Sequence, residues 1–302
     1  MTWLLENGDG RPPGERMAAL WARPQILRMP GAHSPLAGVI AKRAGFEALY
    51  LSGAAISATL ALPDLGIITS DELCFFLRSL YRATDLPIVV DADTGYGEAL
   101  NVMRLVRELE DAGAAAIQIE DQILPKKCGH LNDKKLATAD EMAAKIAAAR
   151  RARRHLRILA RTDAVGQEGI EAGIARARRY LEAGADAVFP EALTTEDMFR
   201  RFVKEVKAPL LANMTEFGCT PYFTAAQFEA FGFKMVIWPT SAMRAEAKTL
   251  EELYATIARD GSTEAFLPRL QTRAQLYETI RYQDYEALDS TILKSMLPKI
   301  GV

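Results

Sequence analysis

The sequence predicts an α/β protein built as a closed (β/α)8 barrel of TIM type, and three observations carry that expectation. Short apolar runs alternate with amphipathic stretches eight times along the chain. Helical stretches close on glycine at Ala44-Gly45, Ala112-Gly113, Ala183-Gly184 and Phe231-Gly232, where the residue just past a helix takes a left-handed backbone. The apolar runs are continuous rather than alternating, which suits parallel strands covered on both faces. An open doubly wound sheet would carry a glycine-rich phosphate turn after its first strand. The turn here reads Pro30-Gly31-Ala32-His33-Ser34-Pro35, which is no such fingerprint.

Strands are expected at 25–30, 48–52, 88–91, 116–120, 158–161, 187–190, 210–213 and 235–238. Between them, stretches such as 101–111 and 170–182 repeat apolar residues at spacings of three and four, the period of a helix with one buried face. A chain of 302 residues exceeds the about 250 typical of one such barrel, and the surplus falls at its ends. Residues 1–16 are polar and rich in glycine and proline, which reads as an N-terminal arm. Residues 262–302 read as extra helices, so residues 1–302 are expected to form a single domain.

A hydrophobic content of 49 % is ample for a core, and a net charge of −2 with interspersed signs recommends neither nucleic acid nor a membrane surface as partner. The first residues lack the cationic start and apolar run of a signal peptide, and no stretch approaches the ~20 apolar residues of a membrane span. A cytoplasmic location is expected. Three cysteines, Cys74, Cys128 and Cys219, are odd in number and far apart, which supports neither a disulfide framework nor a thiolate zinc site. Cys74 falls in a helical run and reads as packing.

In such barrels the chemistry sits at the carboxyl ends of the strands. Here those ends read Tyr50-Leu51-Ser52-Gly53, Asp91-Ala92-Asp93, Glu120-Asp121, Arg161-Thr162-Asp163, Pro190-Glu191 and Asn213-Met214-Thr215-Glu216. One acid at a strand end commonly caps the next helix; this many exceeds what capping requires. Asp91 and Asp93, two apart on a strand, are expected to point to one side. Like charges so close call for a cation, and hard oxygen ligands suit Mg2+, with Mn2+ as substitute. Asp64 and Glu120 are expected to hold metal-bound waters.

Opposite in character is the loop Lys126-Lys127-Cys128-Gly129-His130, which sets a thiol among cationic side chains, the environment of a reactive cysteine. A Schiff-base aldolase would need a lysine near the barrel centre, and only Lys234, at the start of the eighth strand, comes near one. A phosphate-binding barrel would show glycine-rich loops after strands seven and eight, where Thr215-Glu216-Phe217 and Pro239-Thr240-Ser241 stand instead.

Taken together these motifs resemble the isocitrate lyase/phosphoenolpyruvate mutase superfamily, and within it most closely the 2-methylisocitrate lyases. The likeness runs through Leu62-Pro63-Asp64-Leu65-Gly66, Ile119-Glu120-Asp121-Gln122, the cysteine loop, Phe189-Pro190-Glu191-Ala192, Ser241-Ala242-Met243-Arg244 and Gln271-Thr272-Arg273. Isocitrate lyases carry long insertions that this compact chain lacks. The resemblance implies an Mg2+-dependent carbon–carbon lyase that cleaves the tricarboxylate 2-methylisocitrate to pyruvate and succinate in propionate catabolism, the methylcitrate cycle. Isocitrate, dimethylmalate and oxaloacetate-type acids are the alternative substrates.

It also implies roles. Ser52, Gly53, Ala54, Cys128, Gly129, Arg161, Glu191, Asn213, Met214, Thr215, Arg244 and Arg273 would contact substrate. Cys128 would protonate the departing carbanion as general acid; Tyr50, Glu120 and a metal-bound hydroxide all stand open as the base. Glu191 would position Arg161 or His130, and the cysteine loop would close as a lid. Family members form homotetramers, dimers of helix-swapped dimers, for which the apolar tract 276–296 is the candidate segment.

Overall fold

The computed structural model describes residues 4–5, 8–129 and 133–296. Helix α1 (Pro13–Trp21) precedes β1 (Leu27–Pro30), and the chain continues through α2 (Pro35–Arg43), β2 (Leu49–Leu51), α3 (Gly53–Thr59), α4 (Ser70–Thr84) and β3 (Ile88–Asp91). Then come α5 (Ala99–Ala112), β4 (Ala116–Glu120), α6 (Ala139–Ala152) and β5 (Arg157–Thr162). Helices α7 (Ala164–Glu168) and α8 (Ile170–Ala183) lead to β6 (Ala187–Pro190), α9 (Glu196–Glu205) to β7 (Leu211–Asn213), and α10 (Ala225–Phe231) to β8 (Met235–Trp238). Beyond the strands lie α11 (Ser241–Asp260), a 3-10 turn at Glu264–Arg269, α12 (Arg273–Ile280) and α13 (Tyr282–Met296).

Four strands, β3, β4, β6 and β8, fall where the apolar runs placed them. β1 starts two residues later than expected, because the N–H of Ile26 is taken by the Glu229 carboxylate at 2.8 Å rather than by a strand. β5 gains a residue at each end. The expected N-terminal arm turns helical from Pro13, whose fixed φ suits a first turn. Gly113 and Gly184 end α5 and α8 at φ of 105° and 114°, angles a side chain would strain.

All strand pairs are parallel. β2-β3-β4-β5-β6 form one sheet and β1-β8-β7 another, and single parallel bridges, Gly31 with Tyr50 and Val188 with Leu210, join their edges. The arrangement is an α/β fold of TIM-barrel type. Side chains alternate between two environments along each strand. Ile88, Val90, Ile117, Ile119, Ile158 and Ala160 pack outward under the helices. Val89, Ala116, Leu159, Phe189, Leu211, Met235 and Tyr50 form the inner cluster, and α1 adds Met17, Leu20 and Trp21 to it.

The same alternation decides which polar residues face inward. Gln118 and Glu120 are in phase with Ala116, and Arg161 with Leu159, so all three belong to the inner layer. Cross-strand register then sets Glu120 beside Arg161 and Arg161 beside Phe189. At the far end, α11–α13 are largely exposed, with Thr256, Phe266 and Thr279 the buried exceptions among the described residues. No helix of the described residues is long and apolar enough to cross a membrane.

Candidate active site

The carboxyl ends of the strands surround a cavity of about 300 Å³. Tyr50 of β2 and Ser52 and Ala54 just past it line the cavity, as does Asp91 at the end of β3. Arg161, Glu191, Asn213 and Thr215 continue the wall, and Arg244 reaches it from the first turn of α11. Cys128, Gly129 and Asp64 close the mouth.

Arg161 is the electrostatic centre. Its Nε pairs with Asp163 Oδ2 at 2.9 Å, Nη1 with Glu120 Oε2 at 3.3 Å and Nη2 with Glu191 Oε2 at 3.3 Å. Its guanidinium carbon stands 5.1 Å from the centroid of the Phe189 ring. Burial alone would favour the neutral form, but Asp163, Glu120 and Glu191 outweigh it and hold the guanidinium charged. A cation fixed on three sides cannot swing away from a bound anion. Glu191 also accepts from Asn213 Nδ2 at 3.2 Å, so one carboxylate orients both groups.

The two aspartates converge, though not by the expected route. Asp91 ends β3, whereas Asp93 lies past the strand at φ 46°, so a left-handed turn and not strand alternation brings its carboxylate round. A Cβ built on Gly53 would meet Asp91 Oδ2 at 3.3 Å and Asp93 Oδ1 at 3.4 Å, and the Gly53 N–H donates to Asp91 Oδ2 at 3.1 Å. Gly53 thus lies behind the acids.

Lys126 corrects a second expectation. Its ammonium does not face the thiol; it is buried, 2.5 Å from Asp93 Oδ1 and in contact with Asp64. Asp64, expected to hold a metal-bound water, is that lysine's partner. Burial opposes the charge on Lys126, and the surrounding carboxylates, Asp93 first, more than restore it. One lysine does not satisfy this cluster. Burial still lifts Asp93 to about 6 and Glu120 well above the usual carboxylate range, and Glu120 Oε1 is buried without a hydrogen-bond partner. Acids so poorly compensated fit a hard divalent cation. Among the described residues no three acidic, imidazole or thiol groups converge to hold a metal by themselves, so water and substrate would complete its shell.

The cysteine loop is seated over the cavity. Gln122 holds Lys127 by both ends of its amide, at 2.9 and 3.0 Å, and Lys134 Nζ bonds both the Gly129 carbonyl and Asp163 Oδ1. Cys128 is exposed on the cavity side. The sequence does not mark out Lys134, and it shows Gln122 only inside the Ile119-Glu120-Asp121-Gln122 motif, although the strand-end Asp163 that anchors Lys134 is visible.

Two predicted site residues fall elsewhere. Met214 points into the aromatic cluster of Phe199, Phe228 and Phe233, because the residue after Asn213 alternates outward. Arg273 opens α12, is exposed, and stands away from the cavity, since α12 is tied to α2 through Thr279 and Glu278 on Arg43. His130 lies outside the described residues. Glu120 and Asp93 sit behind the cavity wall rather than on it.

A parallel barrel-type sheet whose strand ends gather buried acids, a fixed arginine and a thiol loop defines an enzyme site for anionic substrates. The chain belongs to the phosphoenolpyruvate phosphomutase family, whose model matches residues 17–258. It is 52 % identical over 299 residues to a 2-methylisocitrate lyase of Bacillus subtilis (strain 168), an alignment covering 99 % of each protein. Among solved structures, a 2,3-dimethylmalate lyase of the PEP mutase/isocitrate lyase superfamily is similar with a TM-score of 0.87 and 32 % identity, covering 93 % of this chain and 95 % of that one. A phosphonopyruvate hydrolase in complex with oxalate and Mg++ gives a TM-score of 0.84 at 30 % identity, covering 94 % of this chain and 100 % of that one.

Proposed function

We propose that this chain is a 2-methylisocitrate lyase, cleaving its substrate to pyruvate and succinate in the methylcitrate cycle. The observation that carries the reading is the fixed arginine: Arg161, charged and held by three buried acids, lines the same cavity as Asp91 and Cys128. The 52 % identity with a named 2-methylisocitrate lyase over 99 % of both chains selects this substrate over dimethylmalate, whose lyase is 32 % identical.

Asp91 and Asp93 would hold Mg2+, with Glu120 on its waters. When bound, the ion supplies the positive charge that gathers the substrate's hydroxyl and neighbouring carboxylate and acidifies the hydroxyl. Arg161 and Asn213, both lining the cavity, would stabilise the charge of the succinate fragment as the carbon–carbon bond breaks, and fixed donors stabilise such charge most when they need not reorganise. Cys128 then delivers a proton to the fragment's carbon. Arg244, bonded to the Glu216 carbonyl at 2.8 Å, holds a remote carboxylate at the mouth. The seated loop excludes water while the carbanion exists.

The two seam bridges support a closed barrel. Exposed Tyr254, Leu267, Ile280 and Tyr282 on the C-terminal helices support their burial on other copies in a homotetramer with exchanged helices. A cytoplasmic site of action agrees with a substrate from central metabolism. Incubation with 2-methylisocitrate and Mg2+ should yield pyruvate and succinate in equal amounts. Products in any other ratio would refute the reading.

A further inference from the structure

Gln118 is a fully buried amide in the middle of the inner layer, and it touches three residues of the site. Its Nε2 donates to Asp91 Oδ1 at 3.2 Å and to Glu120 Oε2 at 3.5 Å; its Oε1 accepts from the Tyr50 hydroxyl at 2.5 Å. The amide's direction is forced. Two carboxylates flank one end, and only the NH2 group can donate to them, so the oxygen must face Tyr50.

Tyr50 follows from this. An amide oxygen has no proton to give, so Tyr50 must direct its single proton at Gln118. Toward the cavity that Tyr50 lines, its oxygen can therefore offer lone pairs alone. Burial, and next the Asp91 carboxylate, hold the phenol protonated far above its usual range. Glutamine breaks any relay to Glu120, because an amide neither takes up nor releases a proton under conditions where enzymes work.

We propose that Gln118 is a positioning residue that locks Tyr50 as a hydrogen-bond acceptor for the hydroxyl of the bound 2-hydroxy tricarboxylate, orienting that hydroxyl without removing its proton. The inference rests on 2-methylisocitrate as substrate and excludes Tyr50 as the base. A specific polarity follows. The site rewards a ligand that donates at this point and gains nothing there from one that lacks the hydroxyl.

Two probes test it, each with Mg2+ present: KM for 2-methylisocitrate, and the inhibition constant of its deoxy analogue, with hydrogen in place of the hydroxyl. Tyr50→Phe and Gln118→Met should each raise KM about tenfold, the worth of one neutral hydrogen bond, and leave the analogue's constant within about twofold. The double variant should lose no more than either alone. Gln118→His should restore KM, because a neutral imidazole also carries one acceptor and one donor. A rise in the analogue's constant in step with KM would reduce Gln118 to a structural support and overturn the proposal. So would a Tyr50→Phe enzyme with unchanged KM and kcat at background, which would make the tyrosine the proton acceptor. A wild type that does not turn over 2-methylisocitrate would refute the function instead. Dissociation constants of the same two compounds would then support or overturn the role of Gln118 by the same pattern.

Discussion

Gly129 lies flat against Glu191: a Cβ on the glycine would stand 2.4 Å from Glu191 Cγ and 2.5 Å from Arg161 Nη2. The loop beside Cys128 can seat over the arginine only because that position has no side chain. Gly129→Ala should leave the melting temperature within about 2 °C and lower kcat/KM by about 100-fold, the scale of a one-ångström misplacement. Steady-state kinetics and calorimetry on the same preparation check both halves. Unchanged kinetics would mean that the seated loop is not the working state.

Lys126 is the only cation in contact with both Asp64 and Asp93 among the described residues. Lys126→Met would leave two acids facing an apolar chain, and breaking a buried pair from one side costs about 3–5 kcal/mol. For a chain of this size the expected fall in melting temperature is roughly 10 °C. Differential scanning calorimetry reads it directly, and a fall of under about 3 °C would show the pair to be solvated.

Glu110 ties the end of α5 to the entry of β5, accepting from the N–H groups of Arg154, His155 and Leu156 at 2.6–3.0 Å and from the Arg154 side chain at 2.8 Å. Burial would raise its pKa, but these donors outweigh it and the folded value lies below the ordinary 4.5. A depressed folded pKa contributes stability that is fully present above the unfolded value and is lost as pH falls through the folded one. Glu110→Gln should therefore destabilise by on the order of 2 kcal/mol at pH 7, with the gap to wild type narrowing below pH 4.5. Urea melts across pH 3–7 would reveal it, and a pH-independent gap would contradict it.

Metal binding has a readout apart from turnover. Mg2+ at about 100 times its Kd should add about 2.7 kcal/mol of stability, and raise the melting temperature by several degrees. Asp91→Ala should abolish that rise. Equal rises in wild type and variant would place the ion elsewhere.

The barrel was legible because its signals are local. Continuous apolar runs marked β3, β4, β6 and β8 to the residue, and glycines at 113, 184 and 232 ended helices as expected. The strand ends named Tyr50, Ser52, Asp91, Arg161, Glu191, Asn213 and Thr215 of the cavity wall for the same reason, since phase along a strand is readable. What sequence could not supply was distance between segments. Lys126 read as a neighbour of Cys128, yet its long side chain turns back to Asp64, 62 positions earlier. Asp93 comes round to Asp91 through a φ of 46° that no spacing rule anticipates. Gln118 passed as one more residue of an apolar strand, because its importance lies wholly in its contacts with Asp91 on the strand beside it and Tyr50 on the next one along the sheet.

A thiol-assisted lyase selective for the methylated tricarboxylate is tested most directly by kcat/KM for 2-methylisocitrate and for isocitrate with Mg2+. Pyruvate or glyoxylate is coupled to a reductase, in wild type and in Cys128→Ser. The expected result is a preference for 2-methylisocitrate of at least about tenfold, the scale one methyl group supports, and collapse of turnover in the variant. Equal or better use of isocitrate, or a Cys128→Ser enzyme with wild-type turnover, would contradict it.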